Sequence, residues 1–197
     1  AYSLRSLTGG DPKVVRVRRD TDGGAGDNDE QDFTASEVSS GALVAFVGSG
    51  NDGFVETWYD QSGNGNDATQ ATASLQPKIV NAGSLLTDGI DFDGTSQAGL
   101  VTGSFSLTQA FTAFSVSHTD DASTSQGIWS TSASAGTVLK SASFFRNDDG
   151  FAVNAGATIT TAGTIDYVAD RTYLQTNVIN GGSSSIFVDG ATGATGN

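Results

Sequence analysis

The residues with most chemistry to offer lie in one run, Thr57-Trp58-Tyr59-Asp60-Gln61-Ser62-Gly63-Asn64-Gly65-Asn66-Asp67-Ala68-Thr69-Gln70. Sugar recognition asks for an aromatic platform under the apolar face of a ring, and for planar amides and carboxylates aimed at hydroxyls. Trp58, Tyr59, Asp60, Gln61, Asn64, Asn66 and Asp67 supply that set on one loop, and Trp129 could add a second platform. The same residues also suit a loop that bonds only itself. Gly63 and Gly65 allow positive φ, and the short polar side chains between them can hydrogen-bond their own backbone. For each tryptophan, core filling is the competing use.

A second run, Asp20-Thr21-Asp22-Gly23-Gly24-Ala25-Gly26-Asp27-Asn28-Asp29-Glu30-Gln31-Asp32, places many hard oxygen ligands on a glycine-rich loop. Asp20, Asp22, Asp27 and Asp29 are the candidate calcium ligands. The run lacks the EF-hand order and its closing glutamate, so calcium is an option and not a requirement. The competing use is a solvated acidic loop that answers the nearby Arg16, Arg18 and Arg19. No cofactor is required by any motif.

Catalytic constellations are sparse. The one histidine, His118, falls in phase with Phe114 and Val116 and reads as a strand residue, not a general base. A serine triad would have to use it, and no glycine-x-serine-x-glycine elbow occurs. Glycoside hydrolysis needs only two carboxylates at the right separation. Among 22 acidic residues such pairs are guaranteed, so their presence decides nothing.

These residues must be positioned by strands. Val14 to Arg19 alternates, with Val15 and Val17 inward and Arg16 and Arg18 outward. Ser39 or Ser40 can cap one short helix over Gly41–Val47, closed by Gly48. Phe54–Tyr59 is the strand that delivers the polar block, and in it Trp58 and Tyr59 face opposite ways. Short strands follow at Gln76–Val80 and Ile90–Gly94. From Phe105 the pattern is purely β: Phe114–His118, Gly127–Ser132, Ala142–Arg146, Phe151–Asn154, Thr164–Ala169, Thr172–Ile179 and Ser185–Val188. Asp189-Gly190 is a hairpin signal, yet Ala191–Asn197 offers no large apolar residue for a return strand. An unpaired edge is therefore expected beside Ile186–Val188, to be completed by further sequence or a neighbouring copy.

The 197 residues, 37% of them hydrophobic, suffice for one sizeable core, and one domain over 1–197 is expected. The 26 glycines suit many short strands joined by tight turns. No apolar run is long enough to span a membrane, so membrane insertion is not expected. The chain has no methionine and begins with Ala1, which reads as a piece of a longer product. It has no cysteine, which removes disulfides, thiolate metal sites and thiol nucleophiles together. Residues 1–20 carry a local charge of +3, leaving −16 on the rest of a chain whose net charge is −13. Nucleic acid is not an expected partner on that balance, since phosphate binding needs a basic face.

Tyr59 to Asn66, together with Ala1-Tyr2-Ser3-Leu4-Arg5, Val15-Arg16-Val17-Arg18-Arg19 and Gln76-Pro77-Lys78-Ile79-Val80, resembles the N-terminal part of a family related to the fungal α-L-arabinofuranosidase B catalytic domain. After the first half of the chain the pattern resembles concanavalin A-like lectin sandwiches in general. The resemblance implies an all-β, concanavalin A-like jelly-roll sandwich with one short helix before the polar loop. Similar segments occur in large surface and tail-associated proteins of bacteria and their viruses. The family's enzymes use cysteine bridges, one of them beside the sugar site, and are considerably longer; this chain has neither property. Their catalytic carboxylates do not align with residues here, so none is carried over. The expected function is a non-catalytic glycan-binding or structural module on an extracellular or virion surface, engaged with a glycan, with further copies or with a larger parent chain. An α-L-arabinofuranosidase-like hydrolase is the alternative.

Overall fold

In a computed structural model, residues 1–21, 29–94, 99–108, 110–120, 126–132, 139–146, 150–154, 158–160 and 168–195 are described. By internal contact the chain divides into two units, Ala1–Phe105 and Ser106–Asn197.

The first unit is built on β1 (Lys13–Asp20), which pairs antiparallel with β2 (Glu30–Thr34). Val14, Val15 and Val17 are fully buried, and the arginines separate by position. Arg16 is half-buried and meets Asp32, whereas Arg18 is buried over the Phe54 ring with its Nε donating to Gln76 Oε1 at 2.8 Å. The outward placement expected of Arg18 is thus corrected: the sheet is covered on that side too, and a guanidinium packs there because its planar face suits an aromatic ring.

One helix was expected next and two are found, α1 (Ala35–Ser40) and α2 (Ala42–Val47). Thr34 caps α1 in a capping box with Glu37, so the helical stretch starts earlier than Ser39. Gly41, at φ +88°, ends α1 and begins α2. Gly48 closes α2 as expected.

Then β3 (Asp52–Trp58) lies beside β1. Its far side is shared by β4 (Ala68–Thr69) at Thr57 and Trp58, and by β5 (Lys78–Asn81) at Gly53 and Phe54. β6 (Ser84–Leu85) extends β5, and β7 (Val101–Thr102) extends β4. The expected strand at Ile90–Gly94 reduces to a single bridge between Asp91 and Lys78. Val14, Val15, Val17, Phe33, Leu43, Val47, Val55, Ile79 and Val80 make the core of this unit. A side chain at Gly53 would lie 2.9 Å from Val47 Cγ2 and 3.1 Å from Val80 Cβ, so glycine is dictated by packing there.

In the second unit, β8 (Phe111–Thr119), β9 (Gln126–Ser132), β10 (Leu139–Arg146), β11 (Gly150–Asn154), β12 (Thr158–Thr160), β13 (Arg171–Ile179), β14 (Ser185–Val188) and β15 (Ala191–Thr195) form two antiparallel sheets. Their orders are β12-β11-β10-β9 and β15-β14-β13-β8. Phe151 and Val153 of one sheet share a core with Tyr173, Ile179, Ile186 and Val188 of the other, so the two sheets form a sandwich-like pair. The Phe151 and Tyr173 rings meet edge to face at 4.9 Å. Most of the expected Thr164–Ala169 strand lies outside the described residues.

The expected free edge beside Ile186–Val188 is not there. Asp189 (φ +50°) and Gly190 (φ +81°) turn the chain through two left-handed residues, and β15 returns along β14. β14 is flanked by β13 and β15 within the chain. β15 carries no large apolar residue and is held in the sheet by its backbone pairing with β14. Asp189 further ties the turn to β13, accepting from the Leu174 N–H at 3.0 Å and from Arg171 at 2.7 Å.

Candidate functional site

The polar block begins where β3 ends. Tyr59 N–H donates to Val14 O at 3.0 Å, which extends the β1 pairing one residue past Trp58. The Tyr59 hydroxyl donates to Asp32 Oδ1 at 2.6 Å. Asp32 also accepts from Arg16 Nε and from Lys13 Nζ, each at 2.7 Å. The hydrogen bond from Arg16, helped by Lys13 and Tyr59, holds the Asp32 carboxyl well below the usual carboxylate range. Burial, with the Asp32 carboxylate beside it, pushes the Tyr59 phenol well above its ordinary value. Asp32 therefore organises the entry to the block. Its sequence position inside an acidic run hid that role.

Asp60 and Gln61 then turn inward. The Asp60 side chain is 1% exposed. Its carboxylate accepts from the Ala1 α-ammonium, from Ser62 N–H (2.9 Å) and Oγ (2.7 Å), and from Asn66 N–H (3.1 Å). Burial alone would raise its pKa; these donors outweigh burial and hold it well below the usual range. Asp60 N–H donates to Asp67 Oδ1 at 2.8 Å, which closes the loop on itself. Gly63 (φ +81°) and Gly65 (φ +69°) supply the left-handed backbone this closure needs.

Gln61, 7% exposed, faces residues 1–7. Its Nε2 donates to Ser3 O (2.9 Å) and Arg5 O (3.0 Å), and its Oε1 accepts from Leu7 N–H (2.8 Å). Its backbone N–H donates to Ala1 O at 2.8 Å. Only one orientation of the amide satisfies all three side-chain bonds, because a flipped amide would put its oxygen against two carbonyls. The Tyr2 hydroxyl donates to Asn66 O, and the Tyr2 ring packs on Trp58 with centroids 5.6 Å apart. Burial, then the charges of Asp60 and Asp67, push the Tyr2 phenol up. The block is thus a latch that holds residues 1–7 across the end of the sheet.

The structure brings Trp58, Tyr59, Asp60, Gln61, Asn64, Asn66 and Asp67 together, and their exposure differs by role. Trp58 is half-buried against the core of the first unit. Ser62, Gly63, Asn64 and Gly65 form the exposed tip, where Asn64 Nδ2 donates to Ser62 Oγ at 3.0 Å. Trp129 belongs to the second unit, half-buried against its core, its ring and that of Phe111 meeting in a T-shaped arrangement with centroids 6.4 Å apart. An open depression of about 580 Å³ in the first unit is lined by Arg5, Ser6, Asp11, Ala35, Ser36 and Ser39, and by none of the block residues.

Of the candidate calcium ligands, Asp22 and Asp27 lie outside the described residues. Asp29 pairs with Arg19, and Asp20 Oδ2 lies 4.0 Å from the Arg18 guanidinium. Among the described residues no group of three or more His, Cys, Asp or Glu side chains converges. His118 is exposed on β8, its Nδ1 3.5 Å from Thr172 Oγ1. No helix among the described residues is long and apolar enough to cross a membrane.

No family model, curated protein or solved structure matches the chain.

Proposed function

We propose that this chain is a non-catalytic structural module of the concanavalin A-like jelly-roll class, working on an extracellular or virion surface as part of a fibre, adhesin or decoration protein. The observation that carries the reading is the direction of the polar block's hydrogen bonds. A sugar site must keep its planar amides and carboxylates free for ligand hydroxyls. Here the Asp60 carboxylate and the Gln61 amide are satisfied by Ala1–Leu7 and by the loop itself. Trp58, the nearest platform, is covered on one side by Tyr2. The same residues that match the sugar-active family thus serve here to fasten a chain segment. The sequence departures from that family, above all the absent cysteines, point the same way.

The test is a paired measurement on wild type and Gln61→Ala: thermal unfolding, and titration with arabinose-containing and other oligosaccharides. The reading expects a lower melting temperature in the variant and no saturable sugar binding in either protein. Saturable binding in wild type, lost in a variant of unchanged stability, would make the block a glycan site instead.

A further inference from the structure

We propose that Asn64 is a self-modification site: attack by the Gly65 backbone nitrogen converts its side-chain amide to a carboxylate, and the conversion loosens the latch on residues 1–7. The proposal goes beyond the structural-module reading and does not depend on it.

The reaction needs an unhindered backbone nitrogen directly after an asparagine, able to swing onto the side-chain carbonyl carbon. The attack is intramolecular and closes a five-membered ring, so proximity favours it. Hydroxide removes the Gly65 N–H proton, the nitrogen bonds to Asn64 Cγ, and the side-chain amide nitrogen takes a proton from water and leaves as ammonia. Water then opens the cyclic imide. Opening at the side-chain carbonyl gives aspartate; opening at the main-chain carbonyl gives isoaspartate, in which the chain runs through Cβ. The balance is asparagine and water to acid and ammonia, with no electron transferred.

The chain has two asparagine-glycine pairs, Asn64-Gly65 and Asn180-Gly181. Their surroundings differ. Asn64 and Gly65 are both exposed at the tip of the polar block. Gly65 stands at φ +69°, and a Cβ built there would meet no heavy atom within 4 Å, so space is open for the ring. The Asn64 side chain donates through Nδ2 to Ser62 Oγ at 3.0 Å, and its backbone N–H reaches the same oxygen at 3.4 Å. Both contacts lie within the exposed tip.

Asn180 is pinned on both sides. Its N–H donates to Ser184 Oγ at 2.8 Å, and its carbonyl accepts from Ser183 N–H at 3.0 Å. The Gly181 carbonyl accepts from Ser184 Oγ at 2.7 Å and from Ser184 N–H at 3.2 Å. Ser184 itself is fully buried. Turning the Asn180-Gly181 peptide into position for attack breaks bonds in this set. At the usual net worth of a hydrogen bond, losing two of them slows the attack about tenfold or more.

Conversion at Asn64 acts on the latch in two ways. It places a further negative charge on the loop that already carries Asp60 and Asp67. In the isoaspartate product it also adds one carbon to the main chain between Gly63 and Gly65. That span is closed by Asp60 on Asn66 N–H and by Asp67 on Asp60 N–H, and a longer span loosens both closures. The next residue, Gln61, holds Ser3, Arg5 and Leu7, so the loosening carries to residues 1–7.

Intact-mass and peptide-mapping spectrometry on the whole chain, aged in mildly alkaline buffer beside Asn64→Gln, tests this. Asn64 should exchange NH2 for OH, as aspartate and isoaspartate, about tenfold or more faster than Asn180. The rate should rise with pH, because the attacking nitrogen must lose its proton. Hydrogen exchange at Leu7 should quicken in step with the converted fraction. Asn64→Gln would have to close a six-membered ring, so it should keep its amide and hold Leu7 exchange constant on ageing. Asn180 converting as fast as Asn64, an Asn64 that stays intact, or a converted Asn64 with Leu7 exchange unchanged overturns the proposal. Sugar titration of the first unit addresses the structural-module reading separately, so either can fail without the other.

Discussion

Replacing Gln61 by alanine probes the latch at its most connected residue. The substitution removes three side-chain hydrogen bonds, to Ser3 O, Arg5 O and Leu7 N–H. At about 1 kcal/mol net for each, the loss would be about 3 kcal/mol. Arg5 and Leu7 lie in an exposed segment, so water can recover part of it, which brings the expected cost to about 2 kcal/mol. For a unit of this size 1 kcal/mol moves the midpoint by about 4 °C, so the first unit should melt about 8 °C lower. Gln61→Glu sharpens the test. It keeps an acceptor for Leu7 N–H but sets carboxylate oxygen against two carbonyls, so it should cost at least as much as alanine. Calorimetry reports the midpoint, and hydrogen exchange at Leu7 reports whether residues 1–7 detach. A midpoint within about 1 °C of wild type, with Leu7 exchange unchanged, would refute the latch.

Further outcomes follow from the same contacts. Asp32 and Asp60 have carboxyls held below the usual range, so they contribute stability above the unfolded value of about 4 and lose it as pH falls toward their folded values; acid titration of unfolding should show stability falling below about pH 4, less steeply in Asp32→Asn. Gly53→Ala should cost about 1–3 kcal/mol in denaturant unfolding, because its methyl would meet Val47 and Val80. With Asp29 paired to Arg19, calcium should leave the melting temperature unchanged; a calcium-dependent rise absent with magnesium would favour the ion-binding reading of the acidic loop instead. Turnover of aryl α-L-arabinofuranoside should be absent, and release abolished by one Asp→Asn or Glu→Gln change would favour the hydrolase alternative.

Much of the strand pattern was legible because β3, β13 and β14 alternate cleanly and are bounded by glycine or acidic turns, whereas β1 buries Val14 and Val15 together and Val17 and Arg18 together. The helices were less so: the sequence drew attention to Ser39 and Ser40, while the capping box of Thr34 and Glu37 held the true start. Composition gives one total of apolar residues and cannot say that they gather in two clusters. On β8 the grouping of Phe114 with Val116 was readable, but alternation alone does not tell which face is inside; the structure turns the serines inward. The turn at Asp189-Gly190 was visible, whereas its return strand was not, because Ala191–Thr195 is held by backbone pairing that leaves no apolar signature. At the polar block, residue types were right for either a ligand or a chain segment. What distinguishes the two is a contact between positions more than fifty residues apart, such as Gln61 with Ser3, which no local pattern encodes.

The most direct test of the central claim is an amide-resolved NMR titration of the polar block with oligosaccharides, arabinose-containing ones included. If the block is an internal latch, the Asp60, Gln61, Gly63, Gly65 and Asn66 signals stay in place at saturating sugar and Leu7 N–H remains protected. Saturable movement of those signals, with Leu7 losing its protection as sugar displaces residues 1–7, would contradict it.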